Sequence, residues 1–309
     1  MSSHTQRVWV TGANGFLGRA ACRALSDRGT AFARVGRAKV EGLAPLPHEQ
    51  PGVLWDLDQP WATKLPPDDR PTAILHLAAG IPVSFEGGDV ERLAADNLQM
   101  DRHVFQMAGE LGCHVVYASS CSVYGSRDPA PLAEDAVCSP LGPYPTAKLQ
   151  AEAEATVLAD GGKLRFASLR ISAPYGAEQR QRTVIWHFVA RALAGEDLAY
   201  HGSGVREQDF IHARDVGEAF ADALHGDAEG IFNVAHGEPI TMPALAERVL
   251  AQVPGSPSRV TASGQPDPPE VLRARYDITR ARVELGWSPR VSLDEGLAEC
   301  VAAMRAGRP

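Results

Sequence analysis

The chain's 309 residues suffice for one large domain or two coupled ones, and its 44% hydrophobic and 22% charged residues argue against a disordered polymer. A formal net charge of -8, without any run of five or six Lys/Arg, argues against a nucleic-acid partner but leaves room for a small phosphorylated ligand. No apolar run approaches the roughly 18 residues of a membrane helix, so no membrane partner is expected.

The opening MSSHTQRVWVTG passes at once into a strand pattern and leaves no room for a signal peptide, so the expected location is the cytoplasm. Residues 7–11 (RVWVT) read as a buried strand, followed by a glycine turn and a helix to about residue 28, with Gly29 in the C-cap region. A second strand is expected over 30–36, a third over 73–78, a helix over 97–111 and a strand over 114–119. A helix rich in Ala and Glu follows over 144–159, then a strand over 164–171. This alternation predicts an α/β fold, a doubly wound parallel sheet. Beyond residue 172 the pattern loosens into helices over 184–194, 214–224 and 293–304, with a Pro/Gly-rich stretch over 254–269 that reads as a surface loop or an excursion over a ligand cleft. The five cysteines, Cys22, Cys113, Cys121, Cys138 and Cys300, contain no C-x-x-C pair and read as reduced thiols; no metal site is expected.

The loop Thr11-Gly12-Ala13-Asn14-Gly15-Phe16-Leu17-Gly18 joins the first strand to the first helix. Gly12 and Gly15 permit a tight turn in which backbone N–H groups of the Asn14, Phe16 and Leu17 region approach a pyrophosphate, and Gly18 allows close helix–sheet packing. The helix N-terminus adds partial positive charge there. At the end of the second strand, Ala33-Arg34-Val35-Gly36-Arg37 holds no carboxylate before Glu41. Arg37 is therefore placed to pair with a ribose 2′-phosphate, and the balance between NADP and NAD tilts towards NADP. Asp56-Leu57 and Leu77-Ala78-Ala79 are further cofactor candidates, as is Asn97, although Asp56 and Asn97 read equally well as capping or turn residues.

Tyr144 and Lys148 stand four apart at a helix start and share one face. A phenol titrates near 10 in isolation, and a neighbouring ammonium and a cationic ring both favour its ionised form, which suits Tyr144 to acid/base work with Lys148 as its support and as a ribose anchor. The serine cluster Ser119-Ser120-Cys121-Ser122 ends a strand at the sheet's carboxyl edge. Ser120 is expected to hold the reacting substrate oxygen, whereas Ser119 and Ser122 fit a strand-end turn with caps better.

With TGANGFLG (11–18), HLAAG (76–80), SSCSVYG (119–125), PYPTAK (143–148), LRISAPYG (169–176), GSGVREQDFIHARDV (202–216) and ARVELGWSPRVSLDEGL (281–297) in order, the chain resembles an extended short-chain dehydrogenase/reductase of the NAD-dependent epimerase/dehydratase branch. The resemblance implies a Rossmann domain over 1–171, with 210–237 returning to it, and a smaller α/β substrate domain over 172–309. It also implies a nucleotide-diphosphate-sugar substrate and a homodimer formed through the helices around 97–111 and 144–159. Ser120, Tyr144 and Lys148 match the family's catalytic group, with Ser119 and Ser122 beside the substrate. Cys121-Ser122 stands where sugar 4,6-dehydratases carry Asp-Glu, which sets dehydration aside. Ala173 replaces a common substrate-binding Asn, Gln208 a diphosphate-gripping Arg and Asp267 another; Arg206, Arg273 and Arg275 are the nearby substitutes. The resemblance thus implies a nucleotide-sugar epimerase, acting at carbon 4. The alternatives are an NADPH-dependent 4-ketoreductase, a reductase of another carbonyl metabolite and a non-catalytic cofactor-binding protein.

Overall fold

The computed structural model describes residues 7–37, 44–62, 65–66, 69–81, 89–125, 130–267 and 273–307. Strand β1 (Val8–Thr11) is buried along its whole length, as expected of an apolar run covered on both faces. It is followed by α1 (Phe16–Asp27), β2 (Phe32–Gly36), β3 (Val53–Leu54), β4 (Ala73–His76), α2 (Asp89–Leu111), β5 (His114–Ser120), α3 (Pro143–Asp160) and β6 (Arg165–Ile171). Then come β7 (Ala173–Tyr175), α4 (Val184–Ala194), β8 (Leu198–Tyr200), β9 (Glu207–Gln208), β10 (Phe210–His212), α5 (Ala213–His225) and β11 (Gly230–Val234). The chain closes with β12 (Ile240–Thr241), α6 (Met242–Ala251), β13 (Val260–Ala262), α7 (Thr279–Glu284) and α8 (Leu293–Arg305).

Seven parallel strands form one sheet in the order β11-β6-β5-β4-β1-β2-β3. One face is covered by α1 and α5, whose Ala21, Leu25, Val216 and Phe220 pack on Val8, Leu75 and Leu169. The other is covered by α2 and α3, through Val104, Phe105, Ala151 and Ala155 against Trp9, Val115 and Phe166. The order reverses between β1 and β4, and such a switch point opens a crevice at the carboxyl ends of the strands. A separate apolar cluster lies among α4, α6 and α8, built on Phe188, Val189, Leu245, Val249, Leu297 and Val301.

Three sequence expectations change. Helix α2 begins at Asp89, two turns before residue 97, because Asp89 and Glu91 favour a helix N-terminus while only Val90 and Ala94 of that stretch are buried and mark the apolar period. The Pro/Gly-rich stretch is not all loop: β13 pairs in parallel with β8. Helix α6 went unread, although Thr241 caps it by accepting from Ala244 N–H, a proline sits in its first turn, and Leu245, Ala246 and Val249 face the core.

Candidate active site

Gly12 leaves β1 with φ +63, and a Cβ there would lie 2.6 Å from the Ala78 nitrogen, so only glycine lets the loop lean against the segment leaving β4. At Gly18 a Cβ would come within 2.0 Å of the Gly12 carbonyl oxygen. Gly15 is the N-cap of α1 with no side-chain cap, and the first turn carries no carboxylate. The N–H groups of Phe16, Leu17 and Gly18 therefore lack helical partners and face no competing acid, which fits the pyrophosphate of a dinucleotide. Asn14 is exposed, and its carbonyl accepts from Arg19 Nη1 at 3.0 Å. Gly18→Ala is expected to cost about 1–3 kcal/mol by overpacking and to weaken dinucleotide binding, as read by thermal melting and a binding titration.

At the end of β2, Arg37 is 75% exposed and 3.8 Å from Asp58, a loose pair that leaves its guanidinium accessible; Glu41 lies outside the described residues. Asp56 accepts from Asp58 N–H at 3.4 Å in a local turn, and the Leu57 side chain is buried while its carbonyl oxygen lies 2.8 Å from His103 Nδ1. On the wall formed after β4, Leu77 and Ala79 are half-buried, and Ala78 N–H donates to Thr11 Oγ1 at 3.2 Å. Asn97 is 2% exposed, and its amide bonds Gly80 twice: Oδ1 accepts from the Gly80 nitrogen at 2.6 Å and Nδ2 donates to the Gly80 oxygen at 2.8 Å. Both ends of Asn97 are thus committed to holding this wall.

Helix α3, which carries Tyr144 and Lys148 in its first two turns, packs on β5, on β6 and on the 3-10 turn Cys121–Val123 that follows β5. Pro143 and Pro145 occupy the first turn of α3, where a missing N–H costs nothing. The cap of the 3-10 turn is Ser120 itself, a role the sequence had suggested for Ser119 or Ser122: Ser120 Oγ accepts from Ser122 N–H at 3.2 Å and lies 2.8 Å from Ser122 Oγ. This fixes the Ser120 rotamer with its oxygen at the sheet's carboxyl edge. Ser119 points inward at 4% exposed, and its hydroxyl has no partner among the described residues.

Lys148 is 2% exposed, and its ammonium donates to Tyr117 Oη at 2.9 Å. Tyr117 in turn donates to Asp101 Oδ2 at 2.5 Å, and Asp101 Oδ1 is 2.9 Å from His76 Nε2. Burial pushes the Tyr117 phenol well above its usual range, and the Asp101 charge adds to this. Burial also works against the Asp101 carboxylate, but Lys148, His76 and Tyr117 together hold it below its ordinary value. Asp101 was not singled out from the sequence. The signal was its place in the apolar series Leu98, Asp101, Phe105, Ala108, all buried on one face of α2.

Of the residues expected to meet a substrate, Ala173 is half-buried in β7 and packs against the α4/α6/α8 cluster, and Gln208 pairs with Ile240 across β9 and β12. Arg206 binds Asp267 at 2.8 Å. Arg275 binds Glu207 through two contacts of 2.7 Å, and that hydrogen-bonded pairing holds the Glu207 carboxyl below its usual range. Arg273 bridges Glu207 through the backbone. Both Arg206 and Arg275 thus carry a carboxylate partner that an anionic ligand must displace or share.

Residues 8–235 match the NAD-dependent epimerase/dehydratase family. The chain belongs to that family. It is accordingly an enzyme of NAD(P)-dependent chemistry, as its motifs implied. The chain is 31% identical to a UDP-glucose 4-epimerase of Mycolicibacterium smegmatis over 97% of its own length and 98% of the relative's. It is 30% identical to a dTDP-4-dehydro-6-deoxyglucose reductase of Escherichia coli, covering 75% of this chain and 74% of that one. Among solved structures, MoeE5 in complex with UDP-glucuronic acid and NAD superimposes with a TM-score of 0.79 at 26% identity, over 97% and 99% of the two chains. Among the described residues, no helix is long and apolar enough to cross a membrane.

Proposed function

We propose that this protein is a nucleotide-sugar 4-epimerase that uses Tyr144 as acid/base, Lys148 as its electrostatic support and Ser120 as the donor that orients the reacting hydroxyl. A bound nicotinamide supplies the hydride acceptor and donor. The chain's own residues do the rest. Tyr144 takes and returns the hydroxyl proton, the Lys148 ammonium steadies the phenolate, and Ser120, fixed by its own cap, holds the oxygen in line. What supports this reading is the packing of α3, which carries Tyr144 and Lys148, on β5 and on the 3-10 turn capped by Ser120, one strand from the crevice between β1 and β4. The full-length similarity to a UDP-glucose 4-epimerase supports the substrate class.

In the same reading, residues 1–171 with 210–237 bind the cofactor through the glycine loop, Asp56-Leu57 and the wall at 77–79, and residues 172–309 bind the sugar nucleotide through the Arg206, Gln208 and Arg275 region. The homodimer forms through α2 and α3, and the protein works in the cytoplasm, where its five free thiols remain reduced. The dinucleotide that stays bound through native purification, identified by mass spectrometry, tests the reading. An epimerase retains an oxidised cofactor, whereas a protein isolated empty that consumes NADPH stoichiometrically is a reductase.

The second reading, an NADPH-dependent 4-ketoreductase, is favoured by Arg37 and by the similarity to the bacterial reductase. Arg37→Ala is expected to weaken NADPH binding on the order of 10-fold, by loss of a charge-assisted contact, while leaving NADH binding unchanged. Equal effects on the two cofactors, measured by fluorescence titration, would remove Arg37 from the 2′-phosphate.

A further inference from the structure

Beneath Lys148 a line of polar groups crosses the core from the cofactor wall to the catalytic helix. Ala78 N–H donates to Thr11 Oγ1 at 3.2 Å, and Thr11 Oγ1 lies 2.7 Å from His76 Nδ1. His76 Nε2 reaches Asp101 Oδ1 at 2.9 Å, Tyr117 Oη donates to Asp101 Oδ2 at 2.5 Å, and Lys148 Nζ donates to Tyr117 Oη at 2.9 Å. Thr11 and His76 are 0% exposed, Asp101 1% and Tyr117 0%. With Thr11 Oγ1 accepting from Ala78, its proton is free for His76 Nδ1. A proton on His76 Nε2 then points at Asp101 Oδ1, so the hydroxyl, ring and phenol donors in the line each find an acceptor.

We propose that Asp101 is a positioning residue for Lys148: it is the buried counter-charge of the ammonium, 3.9 Å away, and it also holds the Tyr117 hydroxyl that bonds the ammonium. The inference rests on the functional reading above and on Lys148 serving, besides its support of Tyr144, as the ribose anchor that the sequence suggests. An ammonium has three protons. Tyr117 takes one and thereby aims the other two away from the core. Without the carboxylate, a cation this deeply buried keeps only the Tyr117 hydroxyl and ring to offset its lost hydration, so its charged form is less favoured in the variant. Among the described residues, no other carboxylate is placed to substitute. From α3, Glu152 is already bound to Arg170 of β6 at 2.8 Å. On α2, Arg102 turns outward to Glu154. From β4, His76 is committed to Asp101 itself. The aromatic faces around the line belong to Phe105, Phe166 and Tyr117, with Lys148 Nζ 4.4 Å from the Tyr117 ring centre.

The test is NADH binding to the intact protein, followed by fluorescence from pH 6 to pH 10, for wild type, Asp101→Asn, Tyr117→Phe and Lys148→Met. Lys148→Met is expected to bind weakly at every pH. Asp101→Asn should lose affinity at the alkaline end about one pH unit or more earlier than wild type. Tyr117→Phe, which keeps the counter-charge, should weaken binding by a few-fold at all pH values without moving that limb, as expected for loss of one charge-assisted hydrogen bond. Weak binding by Lys148→Met together with an unmoved alkaline limb in Asp101→Asn overturns the inference and leaves the functional reading standing. Wild-type binding by Lys148→Met removes Lys148 as the ribose anchor and overturns the inference with it. If Asp101→Asn fails to fold, as judged by thermal melting, Tyr117→Phe decides: unchanged binding at all pH values overturns the coupling.

Discussion

Replacing Tyr144 by Phe is expected to lower turnover by roughly 10²–10⁴-fold while dinucleotide binding stays within a few-fold of wild type. The substitution removes one oxygen from a half-exposed position in the first turn of α3 and leaves the ring, the helix and the Lys148 ammonium where they are. The phosphate loop lies on another element and is untouched, so the loss should fall on kcat and not on cofactor affinity. Steady-state kinetics paired with a binding titration separates the two. Unchanged turnover removes Tyr144 from the mechanism.

Arg170→Met is expected to destabilise the fold by about 3–5 kcal/mol, the largest stability effect we anticipate from any single substitution. Arg170 is 3% exposed on β6 and grips the buried Glu152 of α3 through Nη2 at 2.8 Å and Nε at 3.2 Å. Its Nη1 also donates to the Glu134 carbonyl at 3.0 Å, and its guanidinium lies 4.8 Å from the Tyr124 ring centre. Methionine fills much of the volume but leaves a carboxylate at 2% exposure with, among the described residues, only the Ser168 hydroxyl, at 2.8 Å, as donor. Chemical denaturation measures the loss. The double variant Arg170→Met with Glu152→Leu should recover most of it, because an apolar pair costs less than one orphaned charge. A single variant as stable as wild type would show that Glu152 finds protons or water that the buried pair conceals.

The sheet was legible because parallel strands buried on both faces appear as apolar runs, and VWVT, AILH and HVVYAS each mark one. The phosphate loop was legible because it packs geometry into glycine: Gly12 and Gly18 sit where a single Cβ has no room. The smaller elements were harder to read. Strands β9 and β12 have two residues each, too few to show a period, and the α4/α6/α8 cluster draws on segments far apart in sequence. The ion pairs Arg206–Asp267 and Arg275–Glu207 join residues 61 and 68 positions apart, so the arginines and Asp267 were visible singly while Glu207 and the pairings were not. The Asp101 line was hidden for a related reason. Each of its members looked ordinary alone: a threonine before a glycine, a histidine ending a strand, an acid in a helix. Only the packing of α2 and α3 on one face of the sheet brings them into register.

The most direct measurement is to incubate catalytic amounts of the purified protein with UDP-glucose, adding no reductant, and to follow the anomeric proton signals by NMR. The account predicts that a UDP-galactose signal grows in until the two reach a fixed ratio, that starting from UDP-galactose gives the same ratio, and that Tyr144→Phe all but abolishes the exchange. An unchanged spectrum from either sugar nucleotide, with NADPH-dependent reduction of a 4-keto sugar nucleotide in its place, would contradict it.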